Sequence, residues 1–185
     1  MNISNNMEGF SDFLIKDYQC IADDKNIPFH NMKDKTIYIT GVTGSIGSEI
    51  VKTLLFINNY FHLNLIIYGL IRSYEKAQKV FGSLIQSYPN NLKFIKGSLY
   101  DKCWDCSPDY IIHTASPTQS LDFINRPVET IDDIVFGTKN ILEFAKQKKV
   151  CSVIFLSTME VYGITQNEKV TENDSGYINS MLPRS

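Results

Sequence analysis

From about residue 35, short apolar runs alternate with longer segments in which apolar residues recur every three or four positions. The short runs are typical of parallel strands that are buried on both faces, and the longer segments predict amphipathic helices. The predicted strands are 36–40, 65–71, 92–95, 110–113 and 152–156; the predicted helices begin near 46 and span 74–87 and about 128–147. This alternation predicts an α/β fold, a doubly wound parallel sheet that stops after about the fifth strand.

One face of each predicted helix is apolar and should pack against the sheet. These faces are Ile46, Ile50, Val51, Leu54 and Leu55; Ala77, Val80, Phe81, Leu84 and Ile85; and Ile131, Ile134, Val135, Thr138, Ile141, Leu142 and Ala145. Pro127 suits the first turn of the long helix.

Residues 1–33 precede the first strand and predict a helical extension. Its apolar positions recur at near-helical spacing and are Phe10, Phe13, Leu14, Tyr18 and Ile21. We expect this short helix to lie on the main domain and to end at Pro28.

The composition narrows the classes of function. The 185 residues suffice for one domain, and a net charge of −2 without a basic stripe argues against nucleic acid as the partner. No apolar run approaches the length of a membrane span, and Met1–Asp12 lacks the features of a signal peptide. We therefore expect a cytoplasmic protein without membrane partners.

The cysteines give a weak signal for metal or redox chemistry. Cys103 and Cys106 have the spacing of half a zinc site, but a zinc site needs a second pair. Cys20 and Cys151 stand alone, so we expect a plain loop around residues 103–106 and no metal site.

The turn Thr40–Gly47 carries most of the functional information, because it lies between a predicted strand and a predicted helix. Gly41 permits a sharp turn, and Gly44 lets a pyrophosphate approach the backbone. Gly47 lets the helix lie close to the strand. The amides and the positive dipole end of the helix would then face the phosphates, so the turn predicts a dinucleotide site. A glycine turn without a ligand is the alternative.

Three motifs together resemble the extended short-chain dehydrogenases/reductases, and more narrowly the NAD-dependent epimerase/dehydratase family that acts on nucleotide sugars. Thr40–Gly47 matches the family's Thr-Gly-x-x-Gly-x-x-Gly loop, Asp109–Ser116 resembles its strand-four motif, and Leu156–Gly163 resembles its strand-five motif. Gly137–Asn140 adds weaker support. The resemblance implies a Rossmann-like domain over residues 34–163, followed by a polar loop at 164–185 that leads to a catalytic and substrate region.

The resemblance also implies the residues that bind NAD or NADP. They are Gly41, Thr43, Gly44, Ser45, Ile46, Gly47, Arg72, Ser98, Thr114, Ala115 and Ser116. The second strand ends in Arg72 where NAD-binding folds usually place a carboxylate, so Arg72 either accepts a 2′-phosphate or is a solvated charge. Ser98 stands where the family often has an aspartate that touches the adenine.

Two candidate catalytic residues follow from the strand-five motif. Thr158 falls where the family places a hydroxyl that binds the reacting sugar oxygen; the alternative is a threonine that caps a turn. Glu160 matches a functional glutamate of the dehydratases and decarboxylases, or is a plain solvated residue. Met159 replaces the aspartate of the dehydratases, which disfavours sugar 4,6-dehydration and leaves decarboxylation or epimerisation. Tyr162 is interpreted as a packing residue.

The family's general base is a tyrosine followed four residues later by a lysine, and none of the ten tyrosines here has that neighbour. We therefore expect the cofactor-binding part of a nucleotide-sugar epimerase, dehydratase or decarboxylase that is inactive alone. A non-catalytic dinucleotide-binding module and an NADP-dependent reductase are the alternatives. The expected partner is a nucleotide sugar, and a homodimer through the long helix stays open.

Overall fold

In the computed structural model, which describes residues 9–101, 104–165, 168–178 and 181, the core is a parallel sheet of five strands in the order β3-β2-β1-β4-β5. The strands are β1 (Thr36–Thr40), β2 (Ile66–Ile71), β3 (Leu92–Lys96), β4 (Tyr110–His113) and β5 (Ser152–Phe155). The predicted parallel α/β sheet is confirmed.

Helices connect β1 to β2, β2 to β3 and β4 to β5, and a further helix precedes β1. They are α1 (Asp12–Ala22), α2 (Ser45–Phe61), α3 (Tyr74–Phe81), α4 (Leu84–Ser87), α5 (Ser120–Asn125) and α6 (Pro127–Lys148), and 3₁₀ turns lie at Phe29–Met32 and Met159–Tyr162. Pro127 occupies the first turn of α6, as predicted. None of the helices described is both long and apolar enough to cross a membrane.

The single helix predicted for residues 74–87 is wrong, because the chain breaks into α3 and α4 at Gly82. Gly82 has a φ of +50°, a conformation that a helix cannot continue through. The predicted buried face is nevertheless kept, since Ala77, Phe81 and Leu84 are buried in the core.

The two faces of the sheet carry separate apolar clusters. Alternation along β1 directs Ile37 and Ile39 into the cluster under α2 and α3, and Tyr38 into the opposite cluster. There the Tyr38 ring packs 5.6 Å from the ring of Trp104 and 5.7 Å from that of Phe144 in α6. Both faces of the sheet are therefore covered by helices, as predicted.

The predicted faces of α2 and α6 are only partly right. Ile46 is 61% exposed, and Ile131, Val135 and Leu142 are also more than half exposed. In α6 the predicted Ile141 and Ala145 are buried, together with Thr130, Gly137 and Phe144, which were not predicted. Apolar residues lie on two faces of α6, so periodicity alone could not select the face that meets the sheet.

The N-terminal helix α1 packs on α2, as expected for the extension. Tyr18 is buried, and its hydroxyl donates to Glu49 Oε2 in α2 at 3.0 Å. The predicted contact of Phe13 is wrong, because its side chain is 83% exposed, whereas Ile21 is 38% exposed and lies at the edge of the packed face. The helix ends at Ala22, well before Pro28.

Asp109 ties β1 to β4 at the amino end of the sheet. Its carboxylate accepts the Thr36 backbone N–H at 2.9 Å and the Lys35 ammonium at 3.1 Å. The Thr36 bond is the largest influence, and together with Lys35 it holds the pKa of Asp109 below its usual range. The charge of the Asp109 carboxylate thus helps to hold β4 in register with β1 at this end of the sheet.

The loop that contains the paired cysteines can be described only in part, since Cys103 lies outside the described residues. Cys106 is buried in the same cluster as Tyr38. Among the described residues no group of three histidine, cysteine, aspartate or glutamate side chains is arranged to hold a metal ion.

Candidate functional site

The glycine turn lies where the winding of the sheet reverses. The chain builds β1, β2 and β3 outward in one direction and then returns to place β4 and β5 on the other side of β1. The carboxyl ends of β1 and β4 are therefore adjacent, with Thr40 paired to His113. In open α/β sheets a crevice opens at this reversal and is where ligands bind.

The backbone of the turn presents helix amides to this crevice. Gly41 has a φ of +71°, and its carbonyl accepts the Gly44 N–H at 2.9 Å. Gly44 then caps α2 by accepting the Ser48 N–H, also at 2.9 Å. The first-turn amides of a helix, here on Ser45, Ile46 and Gly47, have no partner within that helix. They can donate to an anion, and the helix dipole favours one there.

The three glycines of the turn differ in what surrounds them. A Cβ on Gly41 would lie 2.5 Å from Thr114 Oγ1, and one on Gly47 would collide with the Gly41 carbonyl. These two glycines are required by packing alone. A Cβ on Gly44 would meet nothing closer than the Gly41 oxygen at 3.2 Å, and Gly44 is exposed. Gly44 is thus the position at which a ligand can approach the backbone.

The end of β4 is hydrogen-bonded to the end of β1. Thr114 Oγ1 donates to the Thr40 carbonyl at 2.7 Å, and the Ala115 N–H donates to Thr40 Oγ1 at 3.2 Å. Thr114 and Ala115 therefore form the floor of the turn. Ser116, the next residue, is exposed.

His113 lies beneath this floor and was not among the predicted site residues. Its ring is 2% exposed, and Nδ1 lies 2.6 Å from Thr40 Oγ1. Burial lowers the pKa of His113, which favours the neutral ring. A polar residue that ends an apolar strand, opposite a threonine in register, is the signal that could have indicated it.

The other predicted cofactor residues lie on neighbouring loops of the same edge. Thr43 is half-buried within the turn, and Arg72 is exposed directly after β2. Ser98 belongs to a loop after β3, where its N–H donates to Asp101 Oδ2 at 2.7 Å. Its hydroxyl oxygen accepts the Tyr100 N–H at 3.2 Å. Ser98 is thus engaged in the geometry of its own loop.

Thr158 caps the 3₁₀ turn that follows β5. Its Oγ1 accepts the Glu160 N–H at 3.3 Å, which is the capping role considered as the alternative. The hydroxyl is exposed and keeps its own hydrogen for a ligand. Glu160 and Met159 are also exposed, and Tyr162 is half-buried.

Comparison with known proteins agrees with this architecture. The model of the GDP-mannose 4,6 dehydratase family matches residues 38–183. The chain belongs to this family. The match begins within β1 and includes the glycine turn, the end of β4 and the Thr158 turn, so the resemblance drawn from the sequence is confirmed.

Relatives and solved structures include sugar-nucleotide epimerases. UDP-glucose 4-epimerase of Rickettsia prowazekii is 33% identical over 132 residues, which are 68% of this chain and 37% of that protein. UDP-N-acetylglucosamine 4-epimerase of Methanobrevibacter ruminantium M1, solved with UDP-N-acetylmuramic acid, has a TM-score of 0.63 at 25% identity and covers 80% of this chain and 45% of that one. UDP-glucose-4-epimerase of Stenotrophomonas maltophila, solved with bound NAD and formylated UDP-arabinopyranose, has a TM-score of 0.64 at 17% identity, with 81% and 44% covered, and supports the fold. The chain thus spans less than half the length of these relatives.

Proposed function

We propose that this chain binds NAD or NADP at the Gly41–Gly47 turn, as the cofactor-binding part of an enzyme that modifies nucleotide sugars. The observation that carries the proposal is the exposed Gly44 backbone, beside free helix amides and above the Thr114–Ala115 floor. The family match and the NAD held by the Stenotrophomonas epimerase support it.

The residues of the turn can bind the phosphates of such a cofactor through backbone groups, with no need for a basic side chain. The first-turn amides of α2 and the helix dipole together favour a pyrophosphate by hydrogen bonding and by charge. Gly41 and Gly47 hold those amides against β4, so little ordering remains to be done on binding. When bound, the nicotinamide would supply a hydride acceptor for a sugar alcohol.

Thr158 is the residue that we propose to orient the sugar oxygen. Its hydroxyl stands at the carboxyl edge of the sheet, anchored by the Glu160 N–H. It can donate to a ketone oxygen and accept from an alcohol, so it suits both sides of an oxidation. Glu160 follows as the candidate proton-transfer group of the same turn.

The reaction that we propose is epimerisation or decarboxylation rather than dehydration, although the matching family is described as a dehydratase. Dehydration needs an acid to protonate the leaving hydroxyl, and the thioether of Met159 carries no transferable proton. The substrate is proposed to be a UDP-type sugar nucleotide, as in the relatives named above.

The exposed apolar residues of α6 and β5 are where a second copy would pack in the proposed homodimer. Val135 and Leu142 of α6 and Phe155 of β5 line one shallow apolar depression. Burial of an exposed apolar patch stabilises the association of two chains. Sedimentation velocity across a concentration series tests the homodimer: a dimer at high concentration supports it, and a monomer throughout contradicts it.

Calorimetric titration with NAD⁺, NADH, NADP⁺ and NADPH tests the proposed function directly. Saturable binding with one site per chain is expected for at least one of the four. A folded protein that gives no binding signal at millimolar dinucleotide would contradict the proposal.

A further inference from the structure

A chain of polar groups, buried at Thr40 and His113 and half-buried at Thr138, links three elements beneath the glycine turn. Thr40 at the end of β1, His113 at the end of β4 and Thr138 in α6 lie in one row. The His113 ring is between the two hydroxyls, with Nδ1 2.6 Å from Thr40 Oγ1 and Nε2 3.3 Å from Thr138 Oγ1. Nothing in the proposed chemistry uses this row.

The hydrogen bonds determine which ring nitrogen carries the hydrogen. Thr40 Oγ1 already accepts the Ala115 N–H, so its own hydrogen is available to Nδ1 of His113. Nδ1 must then be the acceptor, and the ring hydrogen lies on Nε2, directed at Thr138. In the other tautomer, Thr40 Oγ1 would receive two N–H groups and its own buried hydrogen would lose this acceptor, which is costly.

Thr40 is also the residue from which the turn starts. Its carbonyl accepts the Thr114 hydroxyl. The next residue, Gly41, lies so close to Thr114 and Ala115 that a Cβ on it would overlap both. A shift of the Thr40 side chain therefore moves Gly41, and with it the start of α2.

We propose that His113 is a positioning residue for the dinucleotide: as a neutral ring with its hydrogen on Nε2, it holds Thr40, and through Thr40 the Gly41–Gly47 turn, in the geometry that binds phosphate. This inference rests on the proposed function. It assigns to His113 a role that acts through Thr40 and without contact with the ligand.

The role makes binding sensitive to pH. Within the described part of the chain, the contacts of the ring are with Thr40 of β1, Thr138 of α6 and Phe155 of β5, whose ring centroid is 5.6 Å away. None of these three carries a charge. Burial lowers the pKa of His113 below 6.5, so the ring stays neutral at pH 7 and gains a proton only in acid. The added proton on Nδ1 would face an oxygen that already accepts, so dinucleotide affinity should fall only as pH decreases below the ordinary histidine pKa.

Long-range ¹H–¹⁵N NMR of the imidazoles tests the tautomer in the wild-type protein. The three histidines are His30, His62 and His113, and His113→Gln identifies the third signal set. We expect His113 to show an unprotonated Nδ1 and a protonated Nε2 at pH 7. The opposite tautomer, or a rapidly averaging ring, would overturn the assignment.

Calorimetric titration from pH 5 to pH 8 tests the role in binding. Wild-type affinity should fall in acid, whereas His113→Gln should bind about three- to tenfold more weakly at pH 7, with a flat profile. The exposed His30→Gln is the matched control and should keep the wild-type profile. A wild-type profile in His113→Gln would overturn the proposal.

Two further variants remain informative if His113→Gln does not fold. Thr40→Ser keeps the hydroxyl and should retain wild-type affinity, whereas Thr40→Val should lose about three- to tenfold. Equal affinity of the two variants would overturn the proposal. If the wild-type protein binds no dinucleotide, the proposed function is contradicted, and the role of His113 with it. The NMR experiment would still test the hydrogen-bond assignment of His113 on its own.

Discussion

At the scale of single residues, the glycines of the turn have separate roles. Gly41 has a positive φ and touches β4, and Gly47 touches Gly41, so both serve the fold first. Gly44 has an ordinary extended backbone with a φ of −85°, which alanine adopts freely. A Cβ there would still come within a tight 3.2 Å of the Gly41 carbonyl oxygen, so alanine needs a small backbone shift, and a bound ligand adds a second reason for glycine at this position.

Arg72 is the residue that we propose to contact a 2′-phosphate, with a solvated charge as the alternative. It is exposed after β2, and the residues 70–73, Leu-Ile-Arg-Ser, offer no carboxylate for a ribose 2′-hydroxyl. We expect Arg72→Ala to weaken NADPH binding by about tenfold and to leave NADH binding nearly unchanged, because a guanidinium pairs strongly with phosphate. Parallel titrations with the two cofactors measure this; equal losses for both would show that Arg72 is a solvated charge.

At the scale of secondary-structure elements, the Asp109 bonds couple β1 to β4. Because the pKa of Asp109 is lowered in the folded protein, its stabilisation is complete above the unfolded value of about 4 and is lost as pH falls through the folded pKa. We expect Asp109→Asn to lower the free energy of unfolding by about 1 kcal/mol at pH 7 and by almost nothing near pH 2, after allowing for its partial exposure.

Urea denaturation at the two pH values measures this difference. Glu143→Gln, which removes one partner of the exposed Lys139–Glu143 pair, is the matched control and should change stability little at either pH. A loss for Asp109→Asn that persists undiminished at pH 2 would show that the carboxylate charge is not what stabilises the sheet.

The strands were predictable because each is a β-branched or aromatic run with turn residues at its ends. The buried faces of the helices were harder to predict from the sequence. In α6 the presence of Ile131, Val135 and Leu142 beside Ile141 and Phe144 gives two apolar faces, and the sequence does not say which one the sheet takes. The break at Gly82 was missed because the apolar period runs through it unchanged.

In the candidate site, too, features that are local in sequence could be predicted and features that depend on packing could not. The glycine turn was evident from spacing, since its chemistry is in the backbone and local in sequence. The Thr40–His113–Thr138 row was missed because its members come from three elements, brought together only by strand register and helix packing. The catalytic roles of Thr158 and Glu160 stay predictions, with Thr158 seen as a cap.

At the scale of the whole molecule, the parallel α/β sheet is present, and none of the 185 residues is a tyrosine followed four residues later by lysine. A positioned acid–base group contributes about 10²- to 10⁴-fold to rate, so we expect the chain alone to turn over nucleotide sugars poorly or not at all. Product analysis with a panel of UDP-sugars and added cofactor measures this. Turnover comparable to that of a full-length epimerase would contradict the expectation.

The central claim, that the backbone at Gly44 is where a dinucleotide is bound, is tested most directly by calorimetric titration of Gly44→Ala beside Gly82→Ala. The two variants carry the same chemical change. A Cβ at Gly82 would meet nothing within 4 Å, but the φ of +50° makes alanine strained there, so Gly82→Ala controls for a loss of stability outside the turn. We expect Gly44→Ala to retain its fold by circular dichroism and to bind at least about tenfold more weakly, because the methyl group occupies the approach of the phosphates, whereas Gly82→Ala should bind like the wild type. Wild-type affinity in a folded Gly44→Ala protein would contradict the account.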